Sequence, residues 1–171
     1  MVLKEVKNIA DIERLNAEAF PVEEQIPIYD LVRMSKQDEY ALLAAYEEEQ
    51  FIGFTFLTVK KPSVYLFLLA VSASLRSKGY GGKIVQSICK IYSDCQIVVD
   101  IQRIDEPCNN LQQRLKRREF YLRNGFHPTG NYLLFNGMNF DILCSNPSFN
   151  KNAFKKVLES MKGNGFSLEI R

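Results

Sequence analysis

The hydrophobic pattern begins with period two and soon changes. "VLKEVKN" alternates well enough for a short first strand, and Ile9, Ile12, Leu15 and Ala19 then recur at helical spacing. Pro21 stops that helix, and "PVEEQIPIYDLVRMSKQDE" reads as loop and short helix. "YALLAAYEEEQFIGFTFLTVK" predicts two strands joined by a tight polar turn from Glu48 to Gln50, with a further turn at Lys60, Lys61 and Pro62. "SVYLFLLAV" is apolar almost throughout, as expected of a central strand covered on both faces. A glycine-rich patch interrupts the run, and Ile84, Val85, Ile88 and Ile91 resume at helical spacing. "CQIVVDIQ" predicts another strand, and "NNLQQRLKRREFYLRNGF" a helix closed by Asn124-Gly125. "HPTGNYLLFNGMNFDILCS" predicts a hairpin turning on Asn136-Gly137, and "NKNAFKKVLESMK" a last helix ending at Gly163. Strand, helices, three strands, helix, strand, helix, two strands and helix make a mixed α/β sheet with helices on both faces.

Composition narrows this picture without redirecting it. The 171 residues suit one domain, are 46% hydrophobic and 25% charged, and contain no long apolar run of a signal peptide or membrane span. Cys89, Cys95, Cys108 and Cys144 have no paired metal-ligand spacing, and His127 is the single histidine, which argues against a metal site. A reduced, cytoplasmic protein is the simplest expectation. The net charge of +2 hides an asymmetry: residues 1–50 carry five Lys/Arg against twelve Asp/Glu, and residues 51–171 carry seventeen against eight. Solvated helix faces account for such runs. A site with a cationic and an acidic wall accounts for them too. Nothing marks a nucleic-acid or membrane partner.

The chemistry is concentrated in "VSASLRSKGYGGKIV". As a dinucleotide fingerprint it lacks the third glycine, where Ile84 stands; as a P-loop it has Ser77 at the first glycine and Ile84 at the hydroxyl position. It does satisfy R-x-x-G-x-G, through Arg76, Gly79 and Gly81, between a strand and a helix. A helix N-terminus has unpaired N–H groups and partial positive charge, and glycines admit a ligand to the backbone, so a pyrophosphate fits there. Arg76, Lys78 and Lys83 can add charge from the sides.

This stretch resembles the acetyl-coenzyme A motif of the GNAT N-acetyltransferases. "FYLRNGF", Phe120 to Phe126, resembles the family's later signature, and the two stand in the family's order. The resemblance runs from residue 1 to 144, so that residues 1–171 form a single N-acetyltransferase domain with 145–171 beyond the common core. It implies a mostly antiparallel central sheet with helices on both faces. It also implies acetyl-CoA as cofactor and a small-molecule or protein amine as acceptor. Short edge strands and the final helix are compatible with a homodimer, and nothing in the spacing requires more than a monomer. By that resemblance, the strand before the loop splays from the next, and backbone at Leu69, Ala70 and Val71 pairs with the pantetheine arm and polarises the thioester. The pyrophosphate sits on the amides of Arg76, Ser77, Lys78, Gly79, Tyr80 and Gly81, with Gly82 and Lys83 close by.

Tyr121 matches the family's general acid to the leaving thiolate. The common base, a Glu six residues before the Val71 position, is here Tyr65. Other members place an acid in the next strand, where this chain has Asp100; Glu106, Glu24 and a water chain are weaker candidates. An Asn often found seven residues before the Tyr is Arg114, which, with Arg117 and Arg118, meets phosphates or forms a solvated basic face. Glu23, Glu24 and Asp30 in the segment between the first two strands suggest a cationic acceptor, and Tyr65 joins them as a candidate acceptor contact. A non-catalytic CoA-sensing or interaction module of the same fold is the alternative.

Overall fold

The structure is a computed structural model describing residues 1–171. The chain divides into two compact units, Met1–Val59 with Leu66–Ile91, and Lys60–Tyr65 with Tyr92–Arg171.

In the first unit, strand β1 (Val2–Glu5) pairs antiparallel with β2 (Tyr40–Glu47), and β2 pairs antiparallel with β3 (Gln50–Lys60). The polar turn between β2 and β3 is the tight one that the sequence predicts. Helix α1 (Ile9–Ala19) starts on Asn8, whose side chain accepts from the Ala10 amide, and buries Ile12 and Leu15. Helix α2 (Ile28–Met34) buries Leu31 and Met34. Strand β4 (Ser63–Val71) enters this unit at Leu66, and helix α3 (Tyr80–Ile91) buries Ile84, Val85 and Ile88 of the predicted apolar face, while Ile91, at the last residue of the helix, is exposed.

In the second unit, β4 begins in parallel with β5 (Gln96–Gln102), over Ser63–Gln96, Val64–Ile97 and Tyr65–Val98. Strand β7 (Met138–Cys144) pairs antiparallel with β5 and with β6 (His127–Phe135), its partner in the Asn136-Gly137 hairpin. Gln96, nearly buried, clamps the start of β5: its amide donates to Ser63 Oγ and to the Asn150 carbonyl, and its oxygen accepts from the Asn150 amide. Asn150 in turn caps helix α5 (Lys151–Met161), whose Phe154, Val157 and Met161 are buried.

The strands depart from the sequence expectation at two places. The chain does not end on α5: strand β8 (Leu168–Ile170) pairs antiparallel with β6, Leu133 opposite Ile170. Three residues are too few to show a period, and their pairing alone makes them a strand. Strand β4 is covered on both faces only from Ser63 to Leu66; beyond that, Phe67, Leu69 and Val71 are half-buried while Leu68 and Ala70 are buried. Its second half has the alternation of a strand with one open face.

Candidate active site

In the first unit, β4 leads through a short 3-10 turn, Ala73–Leu75, into the glycine patch. Ser77 (φ +62°) and Gly79 (φ +85°) are both left-handed, and α3 begins at the next residue, Tyr80. Left-handed residues spaced this way bend the backbone into a concavity where amides converge, and the first-turn amides of α3 add unpaired donors and partial positive charge. A Cβ on Gly79 would meet nothing within 4 Å, so dihedral angle and not space demands glycine there.

The patch's side chains are held. Arg76 Nε donates to the Val71 carbonyl at 3.0 Å, folding the loop against the end of β4. The Tyr80 hydroxyl donates to Glu47 Oε2 at 2.6 Å, and Lys83 Nζ reaches Glu47 Oε1 at 3.4 Å. The Tyr80 bond holds the Glu47 carboxyl below its usual range and raises the Tyr80 phenol. Of the three expected cations, Arg76 thus bonds protein backbone and Lys83 has a carboxylate partner, while Lys78 is exposed.

Two residues of this unit escaped sequence reasoning. Glu47, the first acid of "EEE", stands just before the predicted turn from Glu48 to Gln50 and has no assigned role in the sequence reading. Gly53 lies inside β3, where a Cβ would fall 2.1 Å from the Ala70 carbonyl oxygen. A glycine inside a strand pattern signals such a close backbone approach. It lets β3 lie directly against the end of β4, the segment Leu69–Val71 of the expected thioester contacts.

In the second unit, helix α4 (Leu111–Arg123) buries one residue, Tyr121. The chain ends the helix at Gly125 (φ +86°), and the Phe126 amide returns to the Tyr121 carbonyl at 3.1 Å. The return sets Phe126 against the Tyr121 ring, centroids 5.3 Å apart, with Phe120 5.0 Å away on edge. "FYLRNGF" is therefore a mounting for one phenol. Burial pushes that phenol up to about 12; the Arg117 guanidinium opposes the shift and the Asp100 carboxylate adds to it.

Asp100 stands on β5, half-buried, and accepts a 2.6 Å hydrogen bond from the Tyr65 hydroxyl. Tyr65 has no accessible surface and packs edge-on to Phe154 at 5.3 Å. Burial first, then the charge of Asp100 and the bond to it, hold the Tyr65 phenol well above its usual range. As an acceptor contact Tyr65 is thus enclosed, and its polar atom is directed to Asp100.

The remaining candidates are scattered. Glu23 and Glu24 lie on a 3-10 turn, and Asp30, on α2, pairs with Arg33 at 3.2 Å. Glu106 faces Arg103 at 3.8 Å. Arg114 donates to Asn110 Oδ1 and to the Arg103 carbonyl, and Arg118 to Asp141, so this part of the basic face braces the second unit itself.

The GNAT acetyltransferase domain model matches residues 38–128, more than half of the 171, and spans both motifs. The chain belongs to the GNAT acetyltransferase family. Solved structures agree on the fold. A GNAT-family protein from Bacteroides thetaiotaomicron, described as a putative acetyltransferase, superposes with a TM-score of 0.75 at 17% identity, over 94% of this chain and 96% of that one. An aminoglycoside 6'-N-acetyltransferase from Enterococcus faecium gives 0.62 at 16%, over 88% and 100%. The PaiA N-acetyltransferase from Thermoplasma acidophilum, solved with coenzyme A, gives 0.55 at 18%, over 84% and 98%. The comparison with curated protein sequences returned no match.

Proposed function

We propose that this GNAT protein, acting as one domain, transfers the acetyl group of acetyl-CoA to a primary amine by direct attack on the thioester. The observation that carries the reading is the Ser77–Gly79 turn into α3, a backbone anion seat at the end of an apolar strand. The coenzyme A bound to the Thermoplasma relative supports the same donor. The pyrophosphate takes the amides from Arg76 to Gly81, and backbone at Leu69 to Val71 meets the pantetheine and thioester.

An alkylamine with a pKa near ~10 arrives mostly protonated and must lose a proton before it attacks. Asp100, directly or through water, accepts it. The new C–N bond forms, the C–S bond breaks, and the nitrogen's second proton goes to solvent as the amide forms. Tyr121 donates to the departing sulfur. A phenol held up to about 12 is a weaker acid than an ordinary thiol, at about 8.5, so its main contribution is a hydrogen bond to developing negative charge. The acidic residues Glu23, Glu24 and Asp30 favour a cationic acceptor, a class to which the aminoglycosides of the Enterococcus enzyme's name belong.

Thermal unfolding with saturating acetyl-CoA and with CoA tests the donor: both raise the midpoint, and no shift with either sinks the reading. Thiol release with spermidine, kanamycin and an N-terminal peptide then tests the acceptor. Cofactor binding without thiol release from any of them identifies the non-catalytic module instead.

A further inference from the structure

We infer that Tyr65 is a positioning residue for the Asp100 carboxylate, setting the base through one enclosed hydrogen bond and touching neither substrate nor cofactor. The inference rests on the proposed role of Asp100.

Three observations support it. First, Tyr65 has no accessible surface, so its hydroxyl meets Asp100 at 2.6 Å from inside the protein. Second, both ends of the bond are on rigid elements. The parallel pairing of β4 and β5 fixes Tyr65 opposite Val98, and Asp100 lies two residues further on the same face of β5. Phe154 of α5, itself fully buried, packs edge-on to the Tyr65 ring, centroids 5.3 Å apart. Third, a carboxylate keeps one orientation when a directional bond holds it. A short bond from a phenol that stays protonated supplies one, because a neutral donor paired with an ionised acceptor gives a strong, directional bond.

The experiment is a double-mutant cycle in the full-length protein, with Tyr65→Phe, Asp100→Asn and the pair. It uses acetyl-CoA and whichever of spermidine, kanamycin and the peptide releases thiol fastest. Tyr65→Phe is expected to lower kcat about tenfold, the typical worth of one hydrogen bond to a charged group. KM for acetyl-CoA should stay within about twofold, because Tyr65 contributes nothing to the donor. The double variant should be no slower than Asp100→Asn alone, since the two residues act through one carboxylate. A full-rate Tyr65→Phe enzyme beside a slow Asp100→Asn enzyme overturns the inference, as does a double loss equal to the product of the single losses. A full-rate Asp100→Asn enzyme instead defeats the base assignment on which the inference rests. Placing 3-fluorotyrosine at 65 keeps the hydroxyl and should keep the rate; loss of activity there, or a Phe variant that loses activity only by failing to fold, gives Tyr65 a packing role and also overturns the inference.

Discussion

The Tyr65 hydroxyl on β4 and the Asp100 carboxylate on β5 share a 2.6 Å hydrogen bond, although 35 residues separate them in the chain. The bond links one strand to its parallel neighbour within the second unit, and it ties the state of a carboxylate to an enclosed phenol. Its first consequence concerns stability at high pH.

Both Tyr65 and Tyr121 have folded-state pKa values above the ordinary phenol value of 10.0. An unfolded chain therefore releases their protons at lower pH than the folded one does. The stability they confer is complete below about pH 10 and falls as pH rises through the folded values. For Tyr121, held up to about 12, the loss across that window is on the order of 3 kcal/mol. Urea midpoints from pH 8 to 12 should fall more steeply for the wild type than for Tyr121→Phe, whose residue 121 cannot titrate. Parallel curves would show that Tyr121 is not held as the structure has it.

The same phenol sets a prediction for catalysis. Tyr121→Phe should lower thiol release about 100-fold, in the range for loss of one positioned donor, while acetyl-CoA affinity is kept. Because the phenol is held up to about 12, the wild-type rate should show no alkaline limb from this group below about pH 11. Full activity of the Phe variant across the pH profile removes Tyr121 from the mechanism.

How far these features could be read from sequence depended on how local they are. Strand β4 and the Asn136-Gly137 hairpin were legible because an apolar run and a turn dipeptide each carry their own signal. The glycine loop and the helix end at Asn124-Gly125 are legible for the same reason, since their left-handed positions fall on or near glycines, whereas "FYLRNGF" as a whole stands out only by its resemblance to the family signature. Tyr65 and Asp100 each stand out in the sequence, but their pairing depends on the β4–β5 register, which no local pattern encodes. Arg114 reads in the sequence as part of a solvated or phosphate-facing stripe, and its bond to the Arg103 carbonyl forms only once the preceding loop is folded. Strand β8 had no period to read and exists through its partner.

Gly53 gives a prediction from close approach. A methyl group there would lie 2.1 Å from the Ala70 carbonyl oxygen, a backbone atom that cannot swing aside like a side chain. Gly53→Ala should destabilise the protein by about 1–3 kcal/mol, as overpacking does, and displace the end of β4. Urea denaturation reads the first effect. Calorimetric titration with CoA, done where the variant is still folded, reads the second as weaker binding. Unchanged binding would separate the end of β4 from the cofactor.

Glu47 gives the last. Its carboxylate meets the Tyr80 hydroxyl at 2.6 Å and Lys83 Nζ at 3.4 Å, beside the loop proposed to hold a pyrophosphate. Two roles are physically distinct. The carboxylate can position Tyr80 and Lys83, or it can oppose an incoming anion by its charge. Glu47→Gln separates them, because the amide oxygen still accepts from Tyr80 while the negative charge is gone. If charge dominates, CoA binds the variant more tightly at low salt, and the gain fades at high salt as screening shortens the reach of both charges to about 3 Å near 1 M. If positioning dominates, CoA binds the variant more weakly at every salt concentration. The long Lys83 contact, beside the short Tyr80 bond that Gln retains, makes the first outcome the expected one. Titration of both proteins with CoA at two ionic strengths decides it.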